Sequence, residues 1–211
     1  KDPDSELDLR TFEIKVIDTN GKETSLKDKE IPKNQVKTFT IDGLERTMDY
    51  TVVVNGTKNS ENIELANIKN AFKTLAQGDV ETDPLMISTT EEFLAMNAKK
   101  HYRLSNDLDF KGESVTPLFT SGTPFNGTFD GNGNNISGLY MNATKTGTGL
   151  FGYTGPTVAI KNVALTNSYF YSSASAYADL GSVVGRTEGG SFDSIYSDAI
   201  LVNGAEYTGG L

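Results

Sequence analysis

One glycine-punctuated unit recurs through the C-terminal half of this 211-residue chain and constrains its fold more than any other feature. The unit reads F-N-G-T-F-D-G-N-G-N-N-I-S-G-L at 125–139, then G-L-F-G at 149–152 and I-K-N-V-A-L-T-N at 160–167. It returns as G-S-V-V-G at 181–185 and as G-G-L at 209–211. Recurrence at about 25–35 residues marks repeats that bury their cores against one another. We therefore predict a stack of repeats that continues into further repeats or another domain.

The residues that mark each copy are predicted to have structural roles. They are Gly127, Gly131, Gly133, Gly149, Leu150, Phe151, Gly152, Asn162, Gly181, Gly185, Gly209 and Gly210.

Composition divides the chain into two domains. Residues 1–83 hold 12 of the 19 basic and 17 of the 28 acidic residues, whereas residues 84–211 hold 17 of the 21 glycines. The polar, turn-rich stretch Gln77–Pro84 separates the two compositions. We predict a β-domain over 1–80 and the repeat domain over 84–211.

Short alternating segments predict strands in the first domain. Apolar and polar residues alternate at 11–17, which predicts a half-buried strand, and two further strands are predicted at 36–41 and 49–54. Each segment is followed by an Asn-Gly or Asp-Gly dipeptide that is typical of turns. Residues 62–68 predict a fourth strand, while A-F-K-T-L-A at 71–76 suits either a strand or a helix.

A short amphipathic helix is predicted over 88–98. Ser88 with Glu91, or Thr89 with Glu92, can form a capping box. Such a helix would cover the open end of a stacked sheet, which otherwise exposes unpaired groups. The predicted apolar face of the helix consists of Phe93, Leu94 and Met96.

Short strands separated by glycine and asparagine turns follow Tyr102. They would also suit a sandwich or a barrel, but the recurring spacing favours a parallel β-helix. With layers about 4.8 Å apart, we expect about four or five turns of about 20–30 residues. The expected core residues are Leu150, Phe151, Ile160, Val163, Leu165, Val183, Val184 and Ile195.

Residues 85–211 resemble the GLUG-repeat family of bacterial surface proteins, named for a G-L-variable-G motif. The resemblance is carried by the repeats above, by P-L-M-I-S-T-T-E-E-F at 84–93 and by R-L-S-N-D-L-D-F at 103–110. It implies a right-handed parallel β-helix on an exported protein at the bacterial cell surface. Similar repeats precede the catalytic domain in zinc metalloproteases of the immunoglobulin-A protease type. The S-V-V at 182–184 departs from the usual L-F or L-V.

The segment F-T-I-D-G-L-E-R-T-M-D-Y-T-V-V-V at 39–54 resembles the late strands of fibronectin type III domains. In that fold a tyrosine fixes the corner between two sheets. The resemblance implies a small immunoglobulin- or fibronectin-like β-sandwich at the N-terminus and an all-β protein overall.

Bulk properties exclude several functions. The net charge of −9 argues against binding to nucleic acid or to an anionic membrane surface. The chain has no cysteine and one histidine, so it can form neither a disulfide nor a Cys/His zinc site. No apolar stretch approaches the 18 or more residues of a membrane span, so we expect no membrane insertion.

Asp130, Asn132 and Asn134 begin like a calcium-binding loop. That loop needs glycine at its sixth position and glutamate at its twelfth, where this chain has Asn135 and Met141. A glycine-rich turn between strands explains the same residues, because asparagine tolerates left-handed backbone conformations. We predict a turn.

Other polar residues receive structural predictions. Asp107 and Asp109 share one strand face and could act as an acid–base pair, but no basic cluster is near and we predict solvated positions. His101 has no partner histidine, and H-E-x-x-H is absent. Asn162 and Asn167 could form asparagine ladders with neighbouring turns. We predict no catalytic residue, no metal site and no cofactor.

The stretch S-Y-F-Y-S-S-A-S-A-Y at 168–177 is the candidate for recognition. Tyrosine and serine together supply rigid contact area and adaptable hydrogen bonds, as in binding loops. We name Tyr169, Tyr171 and Tyr177 as candidate ligand-binding residues. The same stretch also suits a plain strand whose alternate members fill the core.

Three functions remain open from the sequence. The first is a non-catalytic cell-surface module, an adhesin, stalk or ligand-presenting scaffold, whose partner would be a host protein or a glycan. The second is the substrate-binding scaffold of a secreted zinc metalloprotease. The third is a β-helix enzyme that acts on polysaccharides.

Overall fold

The computed structural model of the protein describes residues 9–32, 38–56, 68–143, 147–172, 179–203 and 207–210. The chain divides into two compact units, residues 1–76 and 77–211. The described structure is almost all β, with a single short helix in those ranges.

The N-terminal unit contains an antiparallel sheet with the strand order β2-β1-β3-β4. Its strands are β1 (Leu9–Asp18), β2 (Glu23–Pro32), β3 (Asp49–Gly56) and β4 (Ile68–Lys73). β1 and β3 confirm the strands predicted at 11–17 and 49–54, and β4 shows that the ambiguous segment begins as a strand. The predicted turn at Asn20 and Gly21 joins β1 to β2, with Gly21 at φ +83°.

The structure does not confirm the remaining strand predictions or the sandwich in this unit. Residues 38–41 lie outside any strand, so the strand predicted over 36–41 is wrong there. A strand forms only where its backbone groups pair with a neighbouring strand, and residues 38–41 pair with none of the four strands of this sheet. Residues 36, 37 and 62–67 lie outside the described ranges. A second sheet, which a sandwich needs, is not confirmed by the described residues.

Tyr50 anchors the turn before β3. Its hydroxyl accepts a hydrogen bond from the Glu45 N–H at 2.8 Å. The Tyr50 ring stacks on Phe72 with 5.6 Å between centroids. Val16 and Tyr50 are buried on one side of this sheet, and Val53 is buried on the other side.

The C-terminal unit is a β-solenoid of stacked parallel strands. One helix, α1 (Thr90–Leu94), follows the first strand. The strands in chain order are β5 (Leu85–Ile87), β6 (Tyr102–Leu104), β7 (Leu108–Asp109), β8 (Thr128–Asp130), β9 (Asn135–Ser137), β10 (Tyr140–Ala143), β11 (Phe151–Thr154), β12 (Ala159–Thr166), β13 (Tyr169–Ser172), β14 (Asp179–Leu180), β15 (Val184–Thr187), β16 (Ser191–Ser197), β17 (Ile200–Asn203) and β18 (Tyr207–Thr208).

These strands form three main parallel sheets. Sheet 1 stacks β5, β6, β8, β12 and β16, with β7 and β9 beside them; sheet 2 stacks β10, β13 and β17; sheet 3 pairs β11 with β15. A small sheet pairs β14 with β18. The parallel β-helix predicted from the repeats is thus confirmed as a solenoid.

The solenoid makes about three turns, as the three strands of sheet 2 show. In that sheet Tyr140 pairs with Tyr169, and Tyr169 pairs with Ile200, so each turn takes about 30 residues. The expected number of four or five turns is therefore wrong, whereas the turn length lies at the upper end of the expected 20–30 residues. Each turn contributes to three sheets and the corners between them, which needs more chain than a shorter coil provides.

The core lies inside the sheets and is rich in phenylalanine. All but one of the predicted core residues are buried; Ile195 is partly buried and packs against the core. Phe151 lies at the centre, 5.3 Å from both Phe125 and Phe129 between ring centroids.

Helix α1 covers one end of this core. Thr89 and Glu92 form the predicted capping box, with the Glu92 N–H donating to Thr89 Oγ1 at 3.2 Å. Phe93 is 1% exposed and contacts the rings of Phe110, Phe129 and Phe151. Leu94, predicted on the apolar face, is instead 41% exposed. Successive helical residues lie about 100° apart, so Leu94 cannot share the side of Phe93.

Candidate functional site

The repeat glycines lie where the backbones of neighbouring turns touch. A Cβ atom on Gly149 would lie 2.7 Å from the backbone nitrogen of Gly185, and one on Gly185 would lie 2.6 Å from that of Thr148. A Cβ on Gly152 would lie 2.5 Å from the Phe119 carbonyl oxygen. Real Cβ atoms do not approach backbone atoms so closely, so the G-L-F-G and G-S-V-V-G motifs need glycine for close stacking.

Two glycines earlier in the repeat also lie where a Cβ would collide with a neighbouring backbone, and a third does not. A Cβ on Gly127 would clash with the Lys100 carbonyl oxygen, and one on Gly131 with that of Asn162. Gly133 faces open space and has φ +76°, so a turn explains it.

The last glycines continue the stack. The Gly209 N–H donates to the Leu180 carbonyl at 2.9 Å, and the Gly210 carbonyl accepts from Ser182 Oγ at 2.7 Å. Gly181 donates in the same way to the preceding turn.

A polar cluster on the outer side of sheet 1 joins successive turns. Asp130 is 6% exposed, and its Oδ1 accepts hydrogen bonds at 2.9 Å from Asn162 Nδ2 and from the Asn132 N–H. Its Oδ2 lies 3.1 Å from Arg103 Nη2 in the turn before. Lys161, whose register partner is Asp130, donates to Glu81 Oε1 at 2.8 Å.

The electrostatics of this cluster favour its charged forms. Burial alone would raise the pKa of Asp130, but the hydrogen bonds from Asn162 and Asn132 and the charge of Arg103 outweigh it and lower that pKa. The hydrogen bond between Lys161 and Glu81 lowers the pKa of the Glu81 carboxyl and raises that of the Lys161 ammonium.

The cluster holds the turns together and leaves little room for a ligand. The cavity beside it has a volume of about 10 Å³, about the space of one water molecule. In the described ranges no three His, Cys, Asp or Glu side chains come together as metal ligands. The D-G-N-G-N segment at 130–134 forms a turn, with φ +55° at Asn132, φ +76° at Gly133 and a hydrogen bond from the Asn134 N–H to the Gly131 carbonyl.

The other polar candidates also make structural contacts. Asp107 Oδ1 accepts from the Asn135 N–H, and Asp109 Oδ1 accepts from the Lys111 N–H, both at 2.8 Å. His101 Nδ1 accepts from the Thr128 N–H at 3.2 Å, which ties it to the next turn.

The predicted asparagine ladder is not formed. Asn162 and Asn167 have φ 53° and 46° and bond to aspartates in neighbouring turns: Asn162 through its side chain to Asp130, and Asn167 through its N–H to Asp198 Oδ1 at 2.9 Å. The left-handed residue at 162 also lets Ile160 and Val163 both point inward.

The tyrosines predicted for recognition lie on the outer side of sheet 2. Tyr169 and Tyr171 are half-buried, whereas the alternate residues Phe170 and Ser172 are buried in the core, as in a plain strand. Tyr177 lies outside the described ranges. We call the outward side chains of this sheet the tyrosine face; they are Tyr140, Asn142, Tyr169, Tyr171, Ile200 and Val202.

The tyrosine face is built on a parallel ring stack. The rings of Tyr140 and Tyr169 are 5.4 Å apart between centroids and 3° from parallel. Tyr140 is 38% exposed, and Ile200 continues the column in the next turn. The face is therefore rigid, partly apolar and open to solvent.

A groove borders the tyrosine face at the corner between sheets 1 and 2. Its volume is about 370 Å³. Asp198 contributes a carboxylate and Asn167 an amide, and the Asp198–Asn167 hydrogen bond fixes the corner. The lining residues are Thr166, Asn167, Ser168, Tyr169, Asp198 and Ile200.

Comparison with known proteins gives no relative. No known protein family, curated protein or solved structure matches the chain. Helix α1 has five residues, and no helix in the described ranges has the length and apolar character to cross a membrane.

Tyr140 and Asp198 are among the residues of this site that sequence reasoning missed. Tyr140 lies one repeat before Tyr169, and Asp198 lies one repeat after Asn167. Projecting each candidate forward and back by about 30 residues would have found both, because stacked turns bring those positions together.

Proposed function

We propose that this chain is a non-catalytic module of an exported protein at the bacterial cell surface, and that it presents the tyrosine face to a ligand. The stack of Tyr140 on Tyr169 carries the proposal. Aromatic rings held rigid and partly exposed provide contact area at low conformational cost. The ligand class is a host protein or a glycan, as in an adhesin.

The solenoid suits a role as a stalk or scaffold. Stacked turns give a stiff body with extended flanks, so a ligand site on one sheet is held at a fixed place along it. The resemblance to GLUG repeats adds a right-handed coil and an extracellular location to the proposal. The Tyr50 contact supports a fibronectin-like sandwich in the N-terminal unit.

The same binding face would serve a secreted zinc metalloprotease as a substrate scaffold. That alternative rests on the resemblance alone and is tested by the sequence that accompanies this region in the native protein. A polysaccharide-cleaving activity has less support, since Asp107 and Asp109 each accept a backbone hydrogen bond.

The test is binding to panels of immobilised host extracellular proteins and glycans. We expect at least one ligand whose binding falls about tenfold or more in a Tyr140→Ala/Tyr169→Ala variant, because hot-spot tyrosines typically contribute 2 kcal/mol or more. Tyr196→Ala is the matched control, since Tyr196 is 58% exposed on sheet 1. Equal binding by all three proteins would contradict the proposal.

A further inference from the structure

We infer that the groove beside Tyr169 binds a cationic side chain, a lysine or arginine of a peptide that lies across the corner between sheets 1 and 2. This inference deepens the proposed function, on which it rests, by naming the chemistry of the ligand.

Charge complementarity is the first argument. Asp198 places a carboxylate in the groove, and none of the lining residues is basic. Asp198 Oδ1 accepts the Asn167 N–H at 2.9 Å, which orients the carboxylate. The chain as a whole carries a net charge of −9, which attracts cations over a distance.

The tyrosine stack is the second argument. Tyr140 covers one face of the Tyr169 ring, and Ile200 lies on the other side in the next turn. Tyr169 and Ile200 both line the groove, so a ligand there contacts both residues. A cation over a tyrosine face is attracted by the negative charge of the ring face, and the aliphatic stem of lysine or arginine can pack against Ile200.

The geometry favours a narrow cationic group over a flat sugar ring. Stacking of a sugar needs a broad, open aromatic face, whereas one face of Tyr169 is covered by Tyr140. A side-chain cation is compact, so it needs less of the ring face than a sugar does and can pair with the Asp198 carboxylate at the same time. A neutral oligosaccharide is therefore the competing outcome of the test.

The experiment uses the whole chain and two defined probes, tetralysine amide and neutral chitohexaose, in low salt. Titration calorimetry gives the affinities, and amide chemical shifts locate each probe. We expect tetralysine to shift residues 166–169 and 198–200 and its affinity to fall about tenfold in Asp198→Asn. The asparagine can still accept the Asn167 N–H, so the corner should stay folded.

Asp193→Asn is the matched control, because it removes the same charge from an exposed position on β16. Equal loss in both variants would mean non-specific attraction and would overturn the inference. Chitohexaose binding that depends on Tyr169 but not on Asp198 would overturn the inference and leave the proposed function standing. If neither probe binds the groove while the panel of host proteins and glycans still yields a tyrosine-dependent ligand, the inferred cation site is overturned and the proposed function stands. Failure of the panel as well would refute both.

Discussion

Asp130 shows how one side chain can join successive turns. Its carboxylate bonds to Arg103 in one turn, to Asn132 in its own and to Asn162 in the next. Burying a charge is costly unless it is paired and hydrogen-bonded, and here each oxygen has partners. The carboxylate therefore stabilises the folded state only while it is ionised.

Asp130→Asn should lower the free energy of unfolding by about 1–3 kcal/mol at neutral pH, because the charge-assisted bonds to Arg103 and Asn162 are weakened. The folded pKa of Asp130 is lowered. Its contribution is therefore complete above the unfolded value of about 3.9 and is lost as the pH falls through the lower, folded value.

Urea unfolding at several pH values measures this effect. The difference between wild type and Asp130→Asn should be largest near pH 7 and shrink below about pH 4. Asp193→Asn, at an exposed position whose strand pairs with the same β12, should change stability by less than about 0.5 kcal/mol. A difference that does not vary with pH would show that the charge of Asp130 is not what stabilises the turns.

The sequence singled out Asp130 but did not predict its contacts with Arg103 and Asn162. A local motif suggests calcium, whereas Arg103 lies 27 residues before and Asn162 lies 32 residues after this carboxylate. Contacts a whole turn apart are invisible to a reading of neighbouring residues. The repeat length indicates which residues meet across turns, but only once the register between the turns is known.

At the scale of elements, helix α1 follows from local rules while its packing does not. The capping box of Thr89 and Glu92 needs only their spacing and forms as predicted. Which side chain enters the core depends on how the helix sits on the solenoid end. Phe93 and Met96 share that side and are buried, and Leu94 is exposed.

For the short strands, too, local patterns predicted the type of structure but not its packing. Glycine spacing predicted stacked parallel strands, because close backbone contact leaves no alternative residue at positions such as Gly149. The number of turns was wrong because chain length within the corners has no local signature. In the N-terminal unit, the strand predicted at 36–41 is wrong over 38–41 because a local pattern cannot tell whether a partner strand is available.

Phe93→Ala should lower the free energy of unfolding by about 3–5 kcal/mol, the usual cost of removing a buried phenylalanine. The ring contacts Phe110, Phe129 and Phe151 at the covered end of the core, so its removal opens a cavity there. Leu94→Ala is the control in the same helix, with an expected change within about 0.5 kcal/mol. Chemical unfolding of both variants measures the contrast, and equal destabilisation would show that α1 does not cap the core.

At the scale of the C-terminal unit, the two ends of the solenoid differ. Helix α1 covers the first end, whereas β16 and β17 have a strand partner on one side only in the described ranges. Large exposed apolar side chains gather in this last turn; they are Phe192, Tyr196, Ile200, Val202 and Tyr207. Stability should therefore fall along the stack, because each repeat depends on its neighbours.

Native-state hydrogen exchange should show this gradient. Amides in β12, which has partners on both sides, should open only with global unfolding, whereas those of the last turn should open at a much lower free energy. Alternate residues of a parallel strand point their N–H groups to opposite sides. The Ile200 N–H donates to Ser168 at 2.8 Å, so Leu201 points its N–H to the open side and should exchange faster than Ile200. Protection of Leu201 at high dilution would contradict this, and protection that appears only at high concentration would mean that the edge pairs with another molecule.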